Sequence, residues 1–240
     1  MIHNTICPYC RHALEIKTEN RPRSRSVEHL IPNTSLSKRR GKGEGDFYSC
    51  RKCNSAKSKL DDIVGLLTKA QSDNESFAYK SLEKTILKKK SIPYRYETMI
   101  NSAKYEDDGV HVNLPLDASE LIKYANYLGK GMYFIKNGKA FNSYRFVMVI
   151  KIFTKGFHNQ FKDLYNDEQN SDPIKDLETN PNSNVVAEDE CVIWSQKMSY
   201  LIIFHHYFSF SIKIKKRNKL NEEASNNSMK DVHNSMSYKQ

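Results

Sequence analysis

The chain has 240 residues, 38% of them hydrophobic and 28% charged, with a formal net charge of +10. That length buries one large core or two small ones, and the absence of any run of about 18 apolar residues argues against a membrane-spanning helix. Thirteen Lys/Arg against five Asp/Glu among residues 1–60 concentrate the positive charge at one end, so the expected partner there is a polyphosphate, DNA first, with RNA not excluded.

Four of the five cysteines fall in two Cys-x-x-Cys pairs, Cys7/Cys10 and Cys50/Cys53. Two such knuckles split by a loop suit one tetrahedral zinc better than disulfides. Four thiolates leave no open position for water, so this zinc is expected to be structural. The start Met1-Ile2-His3-Asn4 has no basic segment followed by an apolar one, and a cytoplasmic location is the expectation.

Residues 5–17 read as the first knuckle and a short extension, and Arg21 to Arg25 as a basic link. Ser26-Val27-Glu28-His29-Leu30-Ile31-Pro32 reads as a short strand ended by its proline. Asn33 to Gly45, with three glycines and Lys38-Arg39-Arg40, reads as a flexible cationic loop. Phe47 to Ser49 is a second strand leading into Cys50, and a helix is expected from Asn54, with Leu60, Ile63, Val64, Leu67 and Ala70 on one face.

Further on, Phe77 to Lys90 and Tyr96 to Lys104 read as helices. Asp117-Ala118-Ser119-Glu120 is a capping box opening a helix through Leu128. Arg145 to Phe153 reads as a buried strand, 163–189 as a long Asn-rich loop, and Cys191 to Ile214 as one or two strands. The polar stretch from Asn218 to Gln240 is expected to be disordered. Cys191, the aromatics of this half and His205-His206 read mainly as core or interface residues. The fold class is therefore α+β: a zinc-pinned domain over residues 1–72, a mixed α+β domain of unknown role over 73–216, able to pair two subunits or bind a partner protein, and a tail over 217–240.

In order, the first segment carries Cys7-Pro8-Tyr9-Cys10, then Val27-Glu28-His29-Leu30-Ile31-Pro32, then Cys50-Arg51-Lys52-Cys53-Asn54-Ser55-Ala56-Lys57. This order resembles the zinc-bearing ββα-metal branch of the HNH endonuclease family, a treble-clef-like unit, over residues 5–70. The resemblance implies hydrolysis of phosphodiesters in DNA, leaving a 5′-phosphate and a 3′-hydroxyl. It makes His29 the general base, and gives Glu28 and Asn54 a catalytic Mg2+ or Mn2+. Restriction, phage defence and mobile elements are the settings it implies. Glu28 stands where Asp is commoner, Asn54 where His is frequent, and the family's loop-ordering Asn has Asp46 or Asn33 as its nearest counterpart. Lys57, Arg51, Lys52, Lys38, Arg39 and Arg40 are the expected nucleic-acid contacts, Lys57 either on a phosphate oxygen or solvated. The alternatives are a non-catalytic zinc module that binds nucleic acid and an interaction adaptor. Adjacent strand residues face opposite sides, so Glu28 and His29 share a site only if the strand end twists.

Overall fold

The computed structural model describes residues 1–16, 21–88, 97, 101–102, 104–106, 109–111, 116–159 and 173–217. The expected helix over Tyr96 to Lys104 and the expected disordered tail lie largely or wholly outside them. The first cysteine knuckle is followed by β1 (Arg25–Glu28) and β2 (Phe47–Cys50), which pair antiparallel with Glu28 opposite Phe47. The strand stops at Glu28 rather than running to Pro32. Beyond it the chain turns inward, and Leu30 and Ile31 are both buried.

The helix α1 (Arg51–Ala70) begins three residues before Asn54. Cys50 caps it, its sulfur accepting from the Cys53 N–H, so one knuckle both presents thiols and starts a helix. Next come α2 (Phe77–Lys88) and a hairpin of β3 (Lys104–Glu106) with β4 (Gly109–His111), which sequence patterning did not suggest. The helix α3 (Ala118–Asn137) opens on Asp117 and Glu120, as expected from the capping box, and closes on Gly138 at φ 64°. In that left-handed position glycine carries no steric penalty.

After α3 the chain builds a five-stranded antiparallel sheet. It comprises β5 (Phe146–Phe153), β6 (Ser183–Ala187), β7 (Cys191–Gln196), β8 (Ser199–Phe204) and β9 (Phe208–Lys216), ordered β5-β9-β8-β7-β6. The apolar stretch Cys191 to Ile214 is thus three strands rather than one or two. The loop expected over 163–189 holds a short helix, α4 (Pro173–Glu178), and the edge strand β6. The molecule is a mixed α+β protein. Among the described residues no helix is long and apolar enough to cross a membrane.

The hydrophobic core does not break at residue 72. One cluster joins Leu30, Phe47 and Val64 to Leu128, Phe134, Ile202 and Phe210. α3 lies between the two halves. A Cβ placed on Gly131 would sit 2.3 Å from Leu30 Cδ1, and one on Gly129 would sit 2.7 Å from Met148 Sδ, so the helix packs closely on both sides. Phe47 meets Phe134 edge-on at 5.4 Å, and Tyr9 meets Tyr127 at 4.9 Å. Polar ties follow the same joint: His205 Nε2 lies 2.7 Å from the Ser35 carbonyl, and the Ser37 N–H donates to Glu190 at 2.8 Å. Cys191 is buried as expected, and so are Tyr124, Tyr133, Phe134, Tyr200, Phe204 and Phe208; Tyr144 is exposed.

Candidate metal centre and acid–imidazole site

The first knuckle turns back on itself through Arg11 at φ 66°, whose N–H donates to the Cys7 carbonyl at 2.9 Å, while Cys7 N–H donates to His12 at 2.8 Å. The β2–α1 junction supplies the second knuckle. All four sulfurs lie within 4.8 Å of one another, with Cys10 and Cys50 3.7 Å apart. Two sulfurs bound tetrahedrally at about 2.3 Å are roughly 3.8 Å apart, so the cluster can hold a metal ion such as zinc. The crowding sets the protonation pattern. Cys53 donates to Cys7 and draws its pKa down to about 5 against the opposing effect of burial. Burial pushes Cys10 up to about 11, and the Cys7 thiolate pushes Cys53 up. Four thiolates at this spacing repel one another, and a divalent cation at their centre removes that repulsion.

Asn54, the residue after Cys53, meets Glu28. Asn54 Nδ2 donates to Glu28 Oε2 at 2.8 Å and to the Val27 carbonyl at 3.0 Å, and the Ser49 hydroxyl donates to the same carboxylate oxygen at 2.9 Å. The other oxygen faces the Lys57 ammonium at 3.1 Å. Glu28 is 2% exposed and Lys57 has no exposed surface at all. The ammonium has three protons to donate. It makes contacts to Glu28, to Asp61 Oδ1 at 2.8 Å and to the His29 carbonyl at 3.0 Å. Burial pulls the Lys57 pKa down, yet Asp61 and Glu28 outweigh it and hold the ammonium above its ordinary value. Asp61 itself is pushed up to about 6 by burial, against the pull of Lys57.

Lys57 is therefore neither on a phosphate nor solvated. It forms a buried ion triad that fastens α1 to β1. Asp61 and Ser49 were missed in the sequence, although the four-residue spacing of Lys57 and Asp61 on α1 was a signal for the pair.

His29, just past the end of β1, is partly exposed, and its Nδ1 is buried without a hydrogen-bond partner among the described residues. Desolvation lowers its pKa, Arg40 adds to that, and the carboxylates of Asp46 and Glu28 oppose it. The imidazole is thus neutral at neutral pH. The loop beyond it is pinned rather than free. Asn33 clasps the Arg40 N–H and carbonyl, both at 3.0 Å, while Asp46 accepts from Leu30 N–H at 2.7 Å and donates its own N–H to the Glu28 carbonyl at 2.8 Å. Both counterparts of the missing loop-ordering Asn hold backbone here.

Of the other cationic residues, Lys38, Arg39, Arg51 and Lys52 are exposed. Arg40 is only 19% exposed, donating to the Ile31 carbonyl and lying 3.6 Å from Asp46.

A divalent ion at Glu28 and Asn54 does not fit this arrangement. Both carboxylate oxygens already have protein partners, one of them an ammonium. The two acceptors around Asn54 Nδ2 turn the amide nitrogen, not its carbonyl, towards Glu28. Comparison with protein-family models, with curated proteins and with solved structures finds no match to this chain.

Proposed function

We propose that the chain is a nucleic-acid endonuclease whose working base is His29. The observation that carries this reading is the corner where β1 meets α1: Glu28 and Asn54 within 2.8 Å of each other, with His29 the next residue along. A neutral imidazole takes a proton from water, which is what attack on a phosphodiester needs. The exposed Lys38, Arg39, Arg51 and Lys52 offer cationic groups to the backbone of DNA. The buried triad of Glu28, Lys57 and Asp61 fixes the end of β1, since Lys57 holds the His29 carbonyl, and so positions the imidazole that follows. No step is assigned to a divalent ion, because the donors around Glu28 do not accommodate one as they stand.

The same burial favours a second reading. Glu28 satisfied by Lys57 is a structural carboxylate, and a zinc-dependent module that binds nucleic acid without cutting it needs no more than the thiolate cluster and the exposed basic residues.

One experiment separates the two. Purified full-length protein is incubated with supercoiled plasmid in EDTA, Mg2+ and Mn2+, beside His29→Ala, with binding followed by gel shift. The nuclease reading expects wild type to nick or linearise plasmid in at least one condition, and His29→Ala to lose at least about 100-fold in rate while shifting DNA equally. Equal cutting by both proteins overturns it. Equal binding with no cutting under any ion establishes the second reading instead.

A further inference from the structure

At the end of the five-stranded sheet farther along the chain from the thiolate cluster, three separate elements bring metal-ligating groups together. Glu178 is the last residue of α4, Asp189 sits in the β6–β7 turn, and His206 sits in the β8–β9 turn. His206 Nε2 is 3.6 Å from Glu178 Oε1 and 3.8 Å from Asp189 Oδ1, and the three donor atoms all lie within 4.8 Å of one another. From this we infer that Glu178, Asp189 and His206 form a second divalent-metal site, open to a water or an oxygen ligand.

The spacing argues for an ion rather than for direct pairing. A hydrogen-bonded imidazole and carboxylate approach to about 2.8 Å. Two ligand atoms each about 2.1 Å from a shared ion, at angles of 90–110°, are instead roughly 3.0–3.4 Å apart. The two separations from His206 lie beyond the first range and within a few tenths of an ångström of the second.

A second observation points the same way. Among the described residues, His206 Nε2 and Glu178 Oε1 are both shielded from solvent and have no hydrogen-bond partner. A buried polar atom left so is destabilising, and a cation between them removes that penalty. Among the described residues no lysine or arginine pairs with Glu178 or Asp189, whereas neighbouring acids are engaged: Glu190 with Ser37, and Asp73 with Tyr207 and Lys155.

The backbone delivers the ligands. The Tyr207 N–H donates to the Phe204 carbonyl at 3.1 Å, and the two residues between have φ of 47° and 65°. That tight turn aims His205 into the joint with Ser35 and leaves His206 towards α4. Glu178 and His206 side chains are 19% exposed while that of Asp189 is 74% exposed. The ion would thus have two shielded ligands behind and one carboxylate at the rim. Asp189 and His206 also line a cleft of about 330 Å³, together with Ser72, Asp73, Ser76 and His205 among others. One imidazole with two carboxylates is a nitrogen–oxygen ligand set that suits Mn2+ or Ni2+ rather than the soft ions favoured by thiolates.

The test uses the full chain loaded with one zinc, so that the thiolates are saturated, and titrates Mn2+ and separately Ni2+. Free Mn2+ is counted by its electron paramagnetic resonance signal and bound Ni2+ by absorption and calorimetry. Wild type is expected to bind one ion of at least one of these metals. His206→Asn, which tolerates the left-handed turn, and Glu178→Gln are each expected to weaken binding by at least tenfold, with Glu83→Gln, an exposed carboxylate on α2, unchanged. Thermal unfolding of the variants without added metal checks that the sheet is intact. Binding retained in both His206→Asn and Glu178→Gln overturns the inference, as does a wild type that binds neither ion.

Discussion

Replacing Lys57 by methionine keeps its volume and removes one buried positive charge. The partners left behind are Glu28, 2% exposed, and Asp61, whose carboxylate was 2.8 Å from the ammonium. Removing one member of a buried ion pair costs about 3–5 kcal/mol, because the remaining charge is uncompensated. The loss has a ceiling, since a stranded carboxylate can take up a proton. Doing so at pH 7 from an ordinary carboxylate pKa costs about 4 kcal/mol per group. Lys57→Met is therefore expected to lose about 3–5 kcal/mol at neutral pH, inside the ceiling of about 8 kcal/mol for two carboxylates. Adding Asp61→Asn removes one stranded charge and should return about 1–2 kcal/mol. The sign of the pH dependence follows. Burial already raises Asp61 to about 6 against the pull of Lys57, and without the ammonium that pull is gone, so Asp61 binds its proton more tightly in the folded variant and the deficit shrinks as pH falls from 8 to 5. Urea unfolding of zinc-loaded wild type, Lys57→Met and the double variant across that range measures all three quantities. A Lys57→Met protein within about 1 kcal/mol of wild type, or a deficit that grows on acidification, would refute the structural role given to Lys57.

Two further outcomes are expected. His205 is buried and desolvation draws its pKa down to about 4; its stabilising contribution is complete above the unfolded value near 6.5 and is lost as pH falls towards 4, by about 3 kcal/mol at most. The difference between wild type and His205→Asn in stability against pH should show that acid-side slope, and a flat difference curve would contradict it. Stripping the ion from the thiolate cluster, or changing Cys53 to Ser, should lower Tm by more than about 10 °C, with about one zinc per wild-type chain measured by colorimetric release; a chain that melts at the same temperature without its metal would show that the cluster is not a structural site.

Local order along the chain fixed a good deal of this. Two knuckles of one spacing placed four sulfurs together, because a turn of that length has few other ways to arrange its sulfurs. Apolar periodicity located most of α1 and the β5 strand, and Asp117 with Glu120 marked the start of α3. The proximity of Glu28 and Asn54 was implied by the family resemblance alone; in the fold β1 pairs antiparallel with β2, and α1, which follows β2, brings Asn54 to Glu28.

Long-range burial decided the rest. No pattern in the sequence says whether a lysine one turn into a helix points at water or at a carboxylate 29 residues earlier, since desolvation of Lys57 depends on α3 covering it. The same holds for the core that runs from Leu30 to Phe210, for the third strand within Cys191 to Ile214, and for the meeting of Glu178, Asp189 and His206. Each of those depends on which distant surfaces close over a residue, a property of the packed chain and not of its neighbours in sequence.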